Sequence, residues 1–259
     1  AATLTLADGR QIVLGDSVPS RVQEASSEIH IQTHELNYSS QAGTEAPVYN
    51  RVSTPRGGEY TIVLEDGTRV SLNAQSELRY PVAFNGKTRE VQLMGEAYFE
   101  VAPDAEHPFI VKTEGMNIRV LGTTFNVCAY REGKARTTLV EGKVKVRAGQ
   151  QEHVLAPGQQ LSRSRDGQVE VREVDVSNYT AWRNQRFVFE DYSLEEVLYQ
   201  LERWYNVTFF IRNESARELR FTGDLPKYEH LDKVLEKLEL VTYIRFVQEK
   251  DVITVYREK

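Results

Sequence analysis

Short runs of alternating hydrophobic and polar residues, separated by glycine-bearing turns, dominate the chain from about residue 46 to residue 176. Alternation with a period of two places every second side chain on the same face of a strand. Turn pairs such as Asp66-Gly67 recur between the runs, so this part is predicted to be all-β, either a sandwich of short strands or a β-coil. The side chains expected to point inward are Phe109, Val111, Ile118, Val120, Phe125, Val127, Val144 and Val146.

The first 45 residues contain a second Asp-Gly turn, at Asp8-Gly9 in the segment LADGRQIVL. This segment repeats the pattern of LEDGTRVSL at residues 64–72, and a polar stretch follows it. An isolated hairpin is only marginally stable in water. We therefore attach residues 1–45, an N-terminal hairpin with one or two further strands in its polar segment, to the all-β domain, which then spans residues 1–183.

The pattern changes in residues 184–259, where strand, helix and strand follow one another. Ser193 and Glu196 form the sequence signature of a capping box at the start of an amphipathic helix. The same helix-and-strand pattern recurs at an offset of 37 residues, with Leu194 matching Leu231. The sequence therefore predicts a small α+β domain made of a duplicated βαβ unit.

Charge and hydropathy limit the classes of partner. The chain has 259 residues, 40% of them hydrophobic, and a formal net charge of −6. Because binding to nucleic acid requires a basic surface that neutralises phosphates, no nucleic-acid partner is expected. No apolar run approaches the ~20 residues that cross a bilayer. Any membrane attachment is therefore expected to lie outside this sequence.

Three segments could carry chemistry, and each has a simpler structural interpretation. The glycines of TPRGGEY (residues 54–60) precede a strand rather than the helix N-terminus that a phosphate site needs. Glu96, Tyr98 and Glu100 share a predicted strand face, but the two carboxylates would lie ~13 Å apart, which favours a solvated face over a catalytic pair. His30 and His34 share a predicted strand face without further ligands at zinc spacing. The sequence thus predicts no catalytic residue, no cofactor and no metal site.

Six segments in order resemble the periplasmic part of FecR-type anti-sigma regulators, especially those of Bacteroidetes, over about residues 50–183. These segments are TPRGGEYTIVLEDGTRVSLNAQSELRYP, REVQLMGEAYFEVA, HPFIVKT, VLGTTFNV, TTLVEGKVKV and LAPGQQ. The tail from residue 181 resembles the C-terminal module of that group, which is similar to the short N-terminal domain of secretins and TonB-dependent transporters. The matching positions are fold and turn positions rather than catalysts: Gly57, Gly58, Asp66, Gly67, Asn73, Tyr80, Gly95, Glu96, Gly122 and Gly142.

The resemblance implies the periplasmic sensor portion of an inner-membrane regulator that relays a signal to an ECF sigma factor. Its implied partner is the N-terminal signalling domain of a TonB-dependent outer-membrane transporter. Regulators of this type hold the sigma factor with a cytoplasmic part and cross the membrane with one helix. Since neither is recognisable in these residues, we expect this chain by itself to bind neither the sigma factor nor the membrane.

We hypothesise that the transporter domain adds a strand to a free sheet edge of the small domain, because strand addition needs no chemical motif. The candidate edges are residues 219–223 and 252–256. Ordinary edges guarded by Arg and Lys are the simpler interpretation. Four residues are assigned to this contact, and all but Val255 are expected to reach outward: Arg220, Phe221, Val255 and Tyr256.

A second class of function remains open, a periplasmic carbohydrate-binding or adhesion module. Such a module would use clustered, exposed aromatic side chains to bind glycan. The chain has only two tryptophans, Trp182 and Trp204, and both lie at or inside the small domain. A third class, an all-β enzyme acting on glycosides, lacks the convergent carboxylates that its chemistry requires.

Overall fold

The chain divides into two compact units, Ala1–Val176 and Ser177–Lys259, called here the β unit and the small unit. A computed structural model describes residues 1–15, 20–24, 27–40, 47–227 and 229–257. The division falls before the boundary predicted after residue 183. The reason is that Trp182 belongs with the small unit, where its carbonyl accepts a hydrogen bond from the buried Lys227.

Short strands make up almost all of the β unit, and the predicted β class is confirmed as one large curled sheet. The strands within the described residues are β1 (Ala2–Thr5), β2 (Gln11–Leu14), β3 (Arg21–Glu24), β4 (Ser27–Ile31), β5 (Glu35–Ser40), β6 (Tyr49–Ser53), β7 (Tyr60–Val63), β8 (Arg69–Leu72), β9 (Glu77–Pro81), β10 (Arg89–Glu100), β11 (Phe109–Thr113), β12 (Met116–Val120), β13 (Thr124–Ala129), β14 (Ala135–Glu141), β15 (Val144–Ala148), β16 (Gln151–Leu155), β17 (Gln159–Arg163) and β18 (Val169–Glu173).

The sheet consists of two ladders that share strand β10. The first ladder runs β2-β1-β6-β9-β10-β11-β12-β15-β16. The second runs β3-β4-β5-β7-β8-β10-β13-β14-β17-β18. From β11 onward, successive hairpins alternate between the two ladders. This alternation gives the chain the character of a β-coil built from antiparallel hairpins.

One hydrophobic core fills the β unit and takes side chains from both ladders. All eight residues predicted to point inward are at most 2% exposed, which confirms the period-two pattern. Across the core, the hydroxyls of Tyr38 and Tyr80 lie 2.8 Å apart, and Asn50 Nδ2 donates to the Tyr38 hydroxyl over 3.0 Å. Burial raises the pKa of both tyrosines, so this polar group is buried only in its neutral form.

Gly95 is the point at which β10 passes from one ladder to the other. Residues before it pair with β9 and β11, and Gly95 and the residues after it pair with β8 or β13. Its φ is +102°, and a Cβ atom there would lie 2.4 Å from Ser76 Oγ. Glycine is required both by the backbone conformation and by the close approach of the Ser76 turn.

The N-terminal hairpin joins the first ladder through β1, which pairs with β6. The segment after it contains three strands, more than the one or two that its polarity indicates, because β5 runs parallel to β7 and extends the second ladder. Within the predicted N-terminal segment, residues 16–19, 25–26 and 41–45 lie outside the described residues.

The small unit contains helices between strands. Its elements are a short helix α1 (Val176–Thr180) with a 3₁₀ turn (Ala181–Asn184), β19 (Arg186–Ser193), α2 (Leu194–Tyr205), β20 (Thr208–Ile211), α3 (Glu214–Arg217), β21 (Arg220–Pro226), α4 (Leu231–Leu240), β22 (Ile244–Glu249) and β23 (Val252–Arg257). The order strand–helix–strand thus occurs twice. However, β19 pairs with β21, whereas β20 and β22 flank β23 in another sheet. The strands on either side of each helix lie in different sheets, so a duplicated βαβ unit is not confirmed.

Helix α2 begins at the predicted capping box and ends at Asn206. Ser193 Oγ accepts from the Glu196 backbone N–H over 3.2 Å, and the Ser193 backbone N–H donates to Glu196 Oε2 over 3.0 Å. Asn206 ends the helix with a left-handed conformation at φ 56°. These local contacts satisfy backbone groups that would otherwise lack partners at the helix ends. The buried face is Leu194, Val197, Leu198 and Leu201.

Candidate partner-binding surfaces

Arg220 and Phe221, predicted to reach outward from a free edge, have different environments in β21. Phe221 is only 6% exposed, so its side chain belongs to the core of the small unit. Arg220 is exposed, but its guanidinium binds the carboxylate of Asp191 at 2.8 Å. Asp191 lies at a bulge of β19 with φ 52°, and it raises the pKa of Arg220 chiefly through this hydrogen bond. The outward orientation of Phe221 is therefore wrong, and Arg220 stabilises a bulge.

Val255 and Tyr256 do not lie on a sheet edge. Their strand, β23, is the middle strand of the three-stranded sheet, parallel to β20 on one side and antiparallel to β22 on the other. Val255 is fully buried. Both sides of the strand already have backbone partners, so the prediction that β23 is a free edge is wrong. The sequence placed it last in the chain, but last in sequence is not outermost in space.

The sequence pattern did not predict an exposed apolar surface on the outer face of the three-stranded sheet. Register places Phe210, Thr254 and Val247 in one row across its three strands. The exposed fractions are 61% for Phe210, 43% for Val247 and 49% for Val252. We call the residues on this side the outer sheet face: Phe210, Val247, Val252, Thr254 and Tyr256. An exposed apolar group of this kind is typical of an interaction surface.

A signal for this face was present in the sequence. Phe209 and Phe210 are adjacent in a strand, so their side chains must point to opposite sides. Phe209 packs edge-on against Phe246, with ring centroids 6.1 Å apart, and this leaves Phe210 on the outside. The adjacent pair could therefore have indicated one exposed aromatic side chain.

The free edges of this sheet are partly occupied by glutamates from the two helices. Glu202 Oε1 accepts the Phe209 backbone N–H of β20 over 2.6 Å. At the equivalent position in the repeat, Glu239 Oε1 accepts the Phe246 backbone N–H of β22 over 2.8 Å. Both glutamates and both phenylalanines are related by the offset of 37 residues. The repeat therefore preserves a contact that covers an edge donor, which reduces the capacity of these edges for strand addition.

A buried lysine organises the aromatic residues of the small unit. Lys227 is 2% exposed, and its ammonium nitrogen lies 4.0 Å from the ring centroid of Trp204. The rings of Trp182 and Phe187 are 5.9 and 5.8 Å away. Its backbone carbonyl accepts from Trp204 Nε1 over 2.9 Å. Both tryptophans of the chain thus surround one internal cation, an arrangement that differs from an exposed glycan-binding platform.

The polar residues near Asn73 form a network that holds strands together. Glu96 accepts from the amides of Asn73 and Asn126 over 2.7 and 2.9 Å. Its backbone N–H donates to Ser76 Oγ over 2.8 Å. Glu96 is half-buried and Tyr98, on the same predicted face, is 7% exposed. The prediction of a solvated face is therefore wrong, and Glu96 in β10 binds both the turn that follows β8 and strand β13.

The two Asp-Gly hairpins share a turn but differ in tertiary contacts. Asp8 and Asp66 each accept the backbone N–H two residues on, over 2.9 Å. Asp66 also binds Arg89 Nη1 at 2.7 Å, in a pair whose side chains are only 4% and 13% exposed. The Asp8–Arg10 pair is exposed on both sides. The contacts of Asp8 lie within its own turn, whereas Asp66 also forms a buried ion pair with Arg89 at the edge of the core.

Metal-binding geometry was not found in the described part of the chain, where no group of three or more His, Cys, Asp or Glu side chains could hold an ion. His30 lies in β4 and contacts Glu28 at 3.2 Å, whereas His34 lies in the turn before β5. The shared strand face predicted for the two histidines is therefore wrong. Residues 54–60 lead into strand β7, as the sequence predicts, and form no helix N-terminus.

Two family models match the chain in order. The model described as FecR protein matches residues 50–145, and the model described as FecR, C-terminal matches residues 186–255. Two crystal structures, each of a candidate anti-sigma factor from Parabacteroides distasonis, are also similar. The first is 31% identical with a TM-score of 0.78, and the match covers 81% of this chain and 99% of that one. The second is 30% identical with a TM-score of 0.78, covering 82% and 100%. No curated protein matches the chain.

The fold and these matches define an anti-sigma regulator, and this family is not a class of enzymes. The chain belongs to the FecR family of anti-sigma regulators. Regulators of this family act with sigma factors and transporters, and they are anchored in a membrane with their sensor part in the periplasm. In the portion of the chain that is described, none of the helices has the length and apolar character needed to cross a membrane.

Proposed function

We propose that this chain is the periplasmic sensor portion of an inner-membrane anti-sigma regulator. In this proposal it receives a signal from the N-terminal signalling domain of a TonB-dependent outer-membrane transporter and passes it toward an ECF sigma factor. The observation that carries the proposal is the match of both FecR models, in order, along one chain. The sigma factor would be held by a part of the protein not contained in these residues.

The outer sheet face is the contact surface that best suits the transporter domain. Phe210, Val247 and Val252 expose apolar side chains from three adjacent strands. Covering such side chains on association contributes ~1.5–3 kcal/mol for each one that becomes fully buried. Aromatic residues at the centre of an apolar patch are also typical hot spots.

Docking on the face fits the structure better than strand addition at an edge. One backbone donor on each edge strand is occupied by Glu202 or Glu239, so an added strand that used these donors would have to displace the glutamates. The face needs no such rearrangement. The predicted contact at Arg220, Phe221, Val255 and Tyr256 is accordingly replaced by the outer sheet face, to which only Tyr256 belongs.

The experiment measures binding of this chain to the isolated N-terminal signalling domain of a TonB-dependent transporter encoded in the same genome. Titration calorimetry gives the affinity of the chain and of a Phe210→Ser/Val247→Ser variant. We expect the double substitution to weaken binding at least ~10-fold, because it removes two apolar contacts from one row. Both side chains are already exposed, so the fold should be retained.

The matched control is Val154→Ser, which removes a 56% exposed valine from strand β16 of the β unit. Its affinity for the signalling domain should equal that of the unchanged chain. Equal affinity of the double variant and the control would exclude the outer sheet face as the contact. Failure of every signalling domain in the genome to bind would exclude the proposed function itself.

A further inference from the structure

A polar pocket of about 390 Å³ opens at one end of the β unit. Three turns form it: the β11–β12 turn at Glu114, the loop between β13 and β14, and the end of β17 with the turn that follows. We call it the arginine pocket, after the three cations that line it: Arg131, Arg163 and Arg165. Its volume lies in the range of small-molecule sites, ~300–1,000 Å³.

Arg163 is held in place by packing rather than by hydrogen bonds. A Cβ atom built on Gly115 would lie 2.6 Å from Arg163 Nη1, and one built on Gly167 would lie 3.7 Å from Nη2. Both glycines have positive φ, +88° and +90°, so two turns without side chains enclose the guanidinium. A planar donor group is thereby fixed at the wall of the pocket.

The side chains that line the arginine pocket carry more positive than negative charge. Among the residues that the structure describes, the side chains of Arg131 and Arg163 make no hydrogen bond or ion pair, and Arg165 Nη2 donates only to the Arg131 carbonyl, over 3.0 Å. Glu114 is the one acidic residue among the lining residues, and no ion pair joins it to these arginines. Tyr130 also lines the pocket, and its hydroxyl donates to the Ala74 carbonyl over 2.6 Å.

Arg163 is partly buried and Arg131 and Arg165 are exposed at the rim, and guanidinium groups placed in this way around one pocket are suited to an oxyanion. The fork of N–H donors on arginine matches two oxygens of a carboxylate or phosphate. Several guanidiniums around one small volume repel one another, and a bound anion relieves that repulsion. A chain with net charge −6 that collects three arginines in one polar pocket has a local field opposite to its overall charge.

We propose that the arginine pocket binds the oxyanion group of a small ligand, a phosphate or a carboxylate. Arg163 is the fixed donor, and Arg131 and Arg165 close around the anion from the rim. This site lies in the β unit and does not depend on the function proposed above. It would be a small-molecule site made of other residues than the outer sheet face.

The test is titration calorimetry of the chain with inorganic phosphate, citrate and glucuronate, each at constant ionic strength in chloride buffer. Saturable one-to-one binding of at least one of these anions is expected. Arg163→Gln should weaken it at least ~10-fold, since a charge-assisted hydrogen bond is lost. Arg131→Gln, at an exposed rim residue, should weaken it in the same direction and provides a variant whose folding is not at issue.

The matched control is Arg119→Gln, which removes an identical charge from the exposed outer side of β12, away from the pocket. It should leave the affinity unchanged. Binding of phosphate alone assigns a phosphate ligand, and binding of citrate or glucuronate alone assigns a carboxylate. The proposal is overturned if no anion saturates the chain below ~0.1 M, where screening alone operates, or if Arg119→Gln and Arg131→Gln weaken binding equally.

Discussion

The two Asp-Gly hairpins offer an internal comparison for the energy of a buried ion pair. Asp66→Ala and Asp8→Ala each remove the same local hydrogen bond to the backbone N–H two residues on. Only the first also leaves the buried Arg89 without its carboxylate. Asp66 also accepts from the Thr68 hydroxyl over 2.8 Å. The difference between the two variants therefore reports the buried contacts of Asp66 beyond the turn hydrogen bond that both hairpins share.

The structure indicates a large effect for Asp66→Ala. Arg89 would keep bonds to the carbonyls of His107 and Ala102, at 2.7 and 2.9 Å, but would lose its only ion pair within the described residues. Its Nη2 is already buried without a partner. Removing one partner of a buried pair costs ~3–5 kcal/mol, so we expect about 3 kcal/mol for Asp66→Ala. Asp8 is exposed, and its substitution should change stability little.

Urea unfolding followed by two probes measures this difference. Far-UV circular dichroism records the strands of the β unit together with the helices of the small unit, whereas both tryptophans, Trp182 and Trp204, lie in the small unit and report on it by fluorescence. The dichroism transition that fluorescence does not follow is therefore that of the β unit, and its midpoint is the one compared here. With m of ~2–3 kcal/mol per M, the dichroism midpoint should fall by ~1–1.5 M for Asp66→Ala, and the fluorescence midpoint should not move. Equal midpoints for Asp66→Ala and Asp8→Ala would refute the role assigned to Arg89.

Three further predictions concern stability. Gly95→Ala should destabilise the β unit by ~3–5 kcal/mol, because it combines a positive φ with a clash on Ser76. Its control Gly9→Ala has a positive φ but no atom within 4 Å and should cost only ~1 kcal/mol. Urea unfolding followed by dichroism measures both free energies of unfolding, and equal costs would contradict the clash. Lys227→Ala should lower the fluorescence-detected stability of the small unit by ~2–4 kcal/mol, because packing and cation–π contacts are lost. The dichroism transition of the β unit should not move, and a shift of both transitions would contradict a local role for Lys227. The free energy of unfolding should fall above about pH 10, because burial raises the pKa of Tyr60 to about 12 and the folded state then holds a proton that the unfolded state releases. Urea unfolding at pH 9 and pH 11 measures this fall, and Tyr60→Phe should reduce the difference in stability between the two pH values.

Local features of this protein were readable from the sequence because their partners lie close in the chain. The Asp-Gly turns, the capping box at Ser193 and the inward positions of the strands depend on residues two to four apart. The ordered run of motifs also indicated the family. The repeat at an offset of 37 residues was visible too, and it preserves the contact of each helix glutamate with the following strand.

The order of strands was decided only by tertiary structure. The last strand, β23, inserts between β20 and β22, so a segment that looked like a terminal edge became the centre of a sheet. This placement depends on which backbone edges meet after the helices pack, and local pattern carries no record of it. The predicted contact residue Val255 is buried for this reason, and the exposed Phe210 was not predicted.

The duplicated hairpin shows the same division. Sequence alone determined the turn in both copies, because an Asp-Gly pair and the next two residues suffice to form it. Tertiary structure decided that Arg89 reaches Asp66 and that nothing comparable reaches Asp8. A partner 23 residues away is brought near by strand pairing, and the low exposure of that position makes the contact strong. One hairpin remains a surface turn, and the other holds part of the core together.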